Sequence, residues 1–163
     1  METSLKSVIQ SLIGWVLLLG LIRGAACQSD WLNPHNTARS EVGVQNLTWS
    51  STVASFASQW ANDLASQGGA LQHRSNNPYG ENIYWASWKT NASDAVKSWV
   101  SEKDYYSYLS NTCEDGQQCG HYTQVLWNNT LELGCASAPC PDGGTISVCN
   151  YNPPGNYVSE RPF

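Results

Sequence analysis

The sequence predicts an α+β domain whose helices come before a closing pair of strands. Three observations carry this. Residues 53–64 and 94–105 repeat apolar side chains at helical spacing, and residues 131–135 and 145–151 alternate with the period of a strand. The turn-forming run Pro139–Gly144 separates the two strands. Helices followed by strands favour segregated layers over a parallel sheet with crossover connections.

The first element is a leader. Lys6, an apolar stretch from Leu12 to Ile22, the small residues Gly24-Ala25-Ala26-Cys27 and then the polar Gln28-Ser29-Asp30 have the layout of a secretory signal peptide. The apolar stretch is about half of the roughly 20 residues needed to span a bilayer. Cleavage after Ala26 or after Cys27 satisfies the small-residue rule. A start at Gln28 gives a signal peptide over 1–27, a single domain over 28–163 and a secreted, extracellular product. Export also makes Asn46-Leu47-Thr48, Asn91-Ala92-Ser93 and Asn128-Asn129-Thr130 candidate glycosylation sites.

Trp31 to Arg39 reads as the first helix, with Asn36 and Arg39 one turn apart. The second starts near Ser50 or Ser51, carries Val53, Phe56, Ala57, Trp60 and Leu64 on one face, and should end at Gly68-Gly69. A loop through Asn76-Asn77-Pro78 leads into Gly80-Glu81-Asn82-Ile83. The third helix runs from Asp94 to Tyr105 with Val96, Trp99 and Val100 inward. Eight tryptophans and eight tyrosines against two phenylalanines suit a core of hydrogen-bonded rings. Tyr84, Trp85 and Trp88, placed in an apparent loop, are the candidates for an aromatic ligand-binding groove.

The chain carries a net charge of −5, and loss of Lys6, Arg23 and Glu2 with the leader makes the domain one charge more acidic. Such a surface offers no attraction to nucleic acid or anionic lipid. No linker, repeat or low-complexity run interrupts the chain. Of the six cysteines, Cys27 falls in the leader, so the exported domain has an odd number. Cys113 and Cys119 enclose a short polar loop that can close on itself, a bridge of about 2–3 kcal/mol by chain entropy. Cys135 and Cys149 lie on the two predicted strands, where a bridge would pin the hairpin.

Two runs, Gly120-His121-Tyr122-Thr123-Gln124-Val125-Leu126-Trp127 and Cys149-Asn150-Tyr151-Asn152-Pro153-Pro154-Gly155-Asn156-Tyr157, resemble the signature segments of the CAP superfamily. That superfamily groups cysteine-rich secretory proteins, antigen 5 proteins and plant pathogenesis-related class 1 proteins, and the chain is most similar to the last of these. His35-Asn36-Thr37-Ala38-Arg39 resembles the superfamily's first-helix motif, which implies a structural role for His35 in a buried hydrogen-bond network. The resemblance implies a three-layer α-β-α sandwich around a central antiparallel sheet. It implies the same two disulfides, and a third between the Cys140 position and a cysteine just before the first site histidine. Here that region reads Gly68-Gly69-Ala70-Leu71-Gln72-His73, which leaves Cys140 unpaired unless Cys27 is retained.

The resemblance also implies a cleft tetrad of His73, Glu81, Glu102 and His121. Two imidazoles and two carboxylates suit zinc with an open position for water, or a metal-free hydrogen-bonded set. The segment from His73 to Glu81 is longer than the glycine-rich link usual in plant relatives. Ser75 and Ser101 lie beside tetrad residues, but no Gly-x-Ser-x-Gly elbow marks a nucleophile. The expectation is therefore a monomeric defence protein, not an enzyme, that binds a sterol or fatty acid and acts on pathogen membrane lipid indirectly. Two alternatives are a precursor that releases residues 153–163 as a signalling peptide, and a metal-dependent or serine-type hydrolase.

Overall fold

The structure, a computed structural model, describes residues 28–163. The expected signal peptide and Cys27 lie outside the described residues. Trp31–Phe163 forms one compact unit. Its elements are α1 (28–41), β1 (Thr48–Trp49), α2 (Ser51–Ser66), β2 (Gly80–Ala86), α3 (Ala92–Ser101), a 3-10 turn (Glu102–Tyr105), β3 (Tyr106–Ser107), β4 (Thr112–Cys113), α4 (Gly120–Val125), β5 (Glu132–Pro139) and β6 (Thr145–Asn152). No helix among the described residues is long and apolar enough to cross a membrane.

The central sheet has the order β1-β5-β6-β2. Its three long strands are antiparallel, and two-residue β1 adds a parallel pairing at one edge. Alternation along β5 and β6 divides the core. Ala138, Ile146 and Val148 pack with Ala57, Ala61 and Leu64 of α2 on one face. Leu133, Cys135, Cys149 and Tyr151 pack with Trp31, Val96, Trp99 and Val125 from α1, α3 and α4 on the other. This is the α-β-α sandwich expected from the resemblance.

Small residues set the closeness of the α2 layer. Gly134 of β5 lies under the start of α2, and a Cβ there would fall on the backbone of Val53 and Ala54. The helix buries Val53, Ala57, Ala61, Leu64 and Ala65, with Phe56 and Trp60 half-buried at its edge. It stops where expected: Gly68 and Gly69 take φ of +77° and +80°, and their N–H groups donate to Ala65 O and Leu64 O. Helix α3 starts earlier than expected because Asn91 and Asp94 form a capping box. It also ends earlier, passing into the 3-10 turn at Glu102.

Two expectations need correction. The stretch holding Tyr84 and Trp85 is not a loop but β2, an edge strand paired with β6 along its length. Gly120–Val125, read only as a motif, is a short helix. The disulfides Cys113–Cys119 and Cys135–Cys149 are both present, the second joining directly opposed residues of β5 and β6. Cys140 is free and buried. A Cβ on Gly69 would lie 3.1 Å from the Cys140 sulfur but would also overlap the Trp85 indole, so the indole occupies the space that a bridge would need. Burial, with the nearby Asp142 charge, pushes the Cys140 thiol up and disfavours its reactive thiolate.

Residues 153–163 pack against α4 and the β3–β4 hairpin. Thr130 Oγ1 donates to Pro153 O at 2.9 Å, Gly155 N to Gln124 Oε1 at 3.1 Å and Asn128 N to Pro162 O at 2.7 Å. Phe163 stacks on Tyr108 with centroids 4.8 Å apart.

Gly134→Ala should cost about 2 kcal/mol or more, because the α2 backbone cannot yield without moving the whole layer. Gly143→Ala meets nothing within 4 Å and has only its φ of +91° to accommodate, so it should cost about 1 kcal/mol. Urea unfolding of both variants tests this, and an equal loss in the two would contradict the packing argument.

Candidate functional site

Glu102 and His121 form the first unit. The turn at the end of α3 brings the Glu102 carboxylate to the start of α4, where Oε2 accepts from the backbone N–H of His121 at 3.0 Å and Tyr122 at 3.1 Å. Cys119, at the N-cap position, supplies no side-chain cap, so Glu102 caps the helix from outside it. Its Oε1 accepts from His121 Nδ1 at 2.6 Å, which places that ring proton on Nδ1 and leaves the Nε2 lone pair free. The ring also stacks on Trp99, with centroids 6.3 Å apart.

Glu81 and His73 form the second unit. The Glu81 side chain is only 4% exposed and accepts four hydrogen bonds. His73 Nδ1 at 2.8 Å and Arg74 N at 3.1 Å reach Oε1; Asn77 Nδ2 at 3.1 Å and Asn150 Nδ2 at 3.4 Å reach Oε2. The long segment between His73 and Glu81 is thus folded around the carboxylate. Arg74 lies 3.9 Å over the Phe56 ring, and Tyr79 meets Phe56 edge-on. The His73 ring is 68% exposed, and its pKa is raised by the Glu81 hydrogen bond against partial burial.

Adjacent residues of β2 join the two units. Asn82, next to Glu81, donates to His121 O at 3.0 Å and to the Tyr151 hydroxyl at 3.1 Å. Tyr151 donates to His35 Nε2 at 2.9 Å, and His35 Nδ1 donates to Trp31 O at 2.8 Å. His35 is fully buried, and burial lowers its pKa from 6.5 to about 4. A continuous network runs from the centre of the core to the backbone of His121.

The structure therefore pairs His73 with Glu81 and His121 with Glu102. Among the described residues no group of three or more His, Cys, Asp or Glu is gathered for a metal. Both carboxylates are committed to N–H donors, and Nε2 is the nitrogen of each imidazole that is not bonded to a glutamate. Among the described contacts, Nδ1 of each imidazole bonds a glutamate and neither ring bonds a serine. Ser101 Oγ donates to Ser98 O instead. Tyr84 and Trp85 point to opposite faces of β2, the first half-buried against the α1–α3 layer and the second beside Gly69 and Gly144. Trp88 stands 63% exposed beyond the strand. The three do not line one groove.

A groove that sequence reasoning did not find lies between α1 and α3, with a volume of about 480 Å³. Ala38, Val96 and Val100 are its apolar lining, and it carries charges of both signs, Lys97 and Lys103 with Glu41 and Asp104. Its signal was in the sequence: Pro34, Thr37, Ala38 and Glu41 fall at helical i, i+3, i+4, i+7 spacing, as do Ser93, Val96, Lys97 and Val100.

Residues 32–151 match the family described as CAP, cysteine-rich secretory protein family. The chain is 47% identical over 153 residues to pathogenesis-related protein 1C of Nicotiana tabacum, covering 90% of each. It is 48% identical over 140 residues to pathogenesis-related protein PR-1 of Medicago truncatula, covering 83% of this chain and 79% of the relative. Among solved structures it is similar to Na-ASP-1, with a TM-score of 0.73 and 27% identity over 84% of this chain and 41% of that one.

Glu102→Ala should cost about 2 kcal/mol and release the His121 tautomer, since one carboxylate serves both helix cap and ring. Thermal unfolding together with nitrogen NMR of the ring checks this; a fixed tautomer in the variant would contradict it. The lowered pKa of His35 means the unfolded chain binds more protons between about pH 4 and 6.5. Its contribution of about 3 kcal/mol is complete above pH 6.5 and lost as pH falls through that window. Urea midpoints across the window should rise with pH, and His35→Gln should flatten the rise.

Proposed function

The chain belongs to the CAP family of cysteine-rich secretory proteins, and from that premise we propose that it is a secreted plant-type defence protein that acts by binding a lipid. The observation that carries this is the groove between α1 and α3. An apolar lining edged by polar and charged side chains of both signs suits an amphipath with a long apolar body and one polar head, a sterol or a fatty acid. The relatives named for pathogenesis support the defence role, and the leader together with two disulfides supports export. Capture of sterol from a pathogen membrane would inhibit growth without catalysis.

The groove supports this reading better than the Tyr84–Trp88 segment, since Tyr84 and Trp85 point to opposite faces of β2. Release of residues 153–163 is the weaker reading. It would have to break the bonds of Pro153, Gly155 and Pro162 and strip Trp127 of its cover by Gly155.

Titration of a fluorescent sterol and a fluorescent fatty acid against the secreted protein tests the proposal. Saturable binding of one of them is expected, weakened by about tenfold or more in Thr37→Trp, which fills the groove, and retained in His121→Ala. Binding of neither ligand overturns the lipid reading, and binding indifferent to Thr37→Trp overturns its assignment to this groove. In the first case its defence role would have to rest on another ligand.

A further inference from the structure

A second concave surface, about 310 Å³ in volume, lies between residues 153–163, the β3–β4 hairpin and α4. Neither the His–Glu pairs nor the lipid groove uses it. Its backbone is unusual. Four non-glycine residues among those described have positive φ, and three of them, Asn111 at 55°, Asn156 at 59° and Ser159 at 69°, line this cavity. Left-handed backbone is unfavourable for residues with a Cβ and persists only where the surroundings enforce it.

The enforcement is visible. Asn111 accepts from the Tyr106 hydroxyl at 2.6 Å and donates to Glu160 O at 3.0 Å, tying hairpin to tail. Asn156 accepts from Thr123 Oγ1 at 2.7 Å and donates to Gly120 O at 2.8 Å, tying tail to α4. These bonds hold the backbone while leaving other groups unused. The Ser159 hydroxyl, the Glu160 carboxylate and the Tyr157 phenol are exposed and have no hydrogen-bond partner among the described contacts. Tyr157 is 51% exposed and steadied edge-on against Trp127.

The lining excludes several ligand classes. Among the described residues no lysine, arginine or histidine lines the cavity, and Arg161 beside it turns its guanidinium to Tyr108 O and Leu109 O. An anion would therefore meet Glu160 without compensation. A fully apolar ligand would strand the hydroxyl, amide and carboxylate groups. A pyranose satisfies both halves of the surface, with its C–H face against an aromatic ring and its hydroxyls paired with acceptors. A backbone already fixed lowers the ordering cost of binding. We propose that this cavity binds a neutral oligosaccharide, with one sugar ring on Tyr157 and its hydroxyls hydrogen-bonded to Glu160 and Ser159.

The test is an NMR titration of the isotope-labelled secreted protein with three hexasaccharides: a β-1,3-glucan, a chitin and a cellulose fragment. At least one should give saturable shifts confined to residues 106–113, 120–127 and 153–163. Affinity should fall about tenfold in Tyr157→Ala, survive in Tyr157→Phe, fall severalfold in Glu160→Gln and stay unchanged in Trp88→Ala. Shift mapping on the unmodified protein does not depend on any variant folding. No saturable shifts at millimolar sugar, shifts elsewhere, or affinity indifferent to both Tyr157→Ala and Glu160→Gln would each overturn the proposal. A negative lipid titration leaves these outcomes unaffected, because the two surfaces share no residue.

Discussion

The buried guanidinium of Arg39 is the interaction on which the rest of the site depends. It is fully enclosed and bonds four backbone carbonyls: Gln45 at 2.7 Å, Val125 at 2.9 Å, and Trp127 and Thr130 at 3.0 Å. Burial lowers its pKa from 12.5 to about 10, so it remains a cation at neutral pH. Removal of the side chain would leave those carbonyls without their donors in the core, a larger loss than the bonds themselves. Helix α4 has only six residues and could not hold itself together. It persists because a carboxylate, Glu102, meets its N-terminal N–H groups and a cation, Arg39, meets its C-terminal carbonyl end. Both charges have the sign that the helix dipole favours.

His121 is therefore placed by charges on two other helices, and its own helix contributes little. The same logic holds for His73, which sits on no regular element and is held by a carboxylate that three other donors have already fixed. In each unit the glutamate organises backbone first and imidazole second. This explains why the long segment after His73 does not displace the ring. The added residues wrap Glu81 through Arg74 N and Asn77, and Arg74 covers Phe56 at the edge of α2. The C-terminal residues lean on α4 from the opposite side, so tail, hairpin and His121 form one mechanical unit.

The amphipathic stripe of α2 and the strand pattern of β5 and β6 were legible because each element is long, α2 with one buried face and the strands between two packed layers. The two disulfides followed from the same reading. Strand β2 was hidden because it starts with Gly80, a break, and with the polar Glu81 and Asn82, whose buried side chains hydrogen-bond in place of apolar packing. Helix α4 is too short to show a period, and α3 gave no sign that Glu102 leaves the helix to cap another. The motif histidines and glutamates lie in two hydrogen-bonded pairs, an arrangement that only the fold could show. The unpaired Cys140 was also legible; that Trp85 fills the gap opposite it was not, since the contact depends on the register of β2 against the end of α2.

Helix α3 separates the α1–α3 groove from His121. Val96 and Val100 face the groove, while Trp99 faces inward and lies between Trp31 and His121, with ring centroids 6.5 and 6.3 Å away. Its indole N–H donates to Ile83 O of β2, which fixes the depth of the helix against the sheet. A ligand that wedges α1 from α3 would have to act against this stack and against the His35–Tyr151–Asn82 network beneath it. Core packing of this density resists gradual deformation. The groove and His121 therefore lie on opposite sides of a buried tryptophan that is fastened to the sheet.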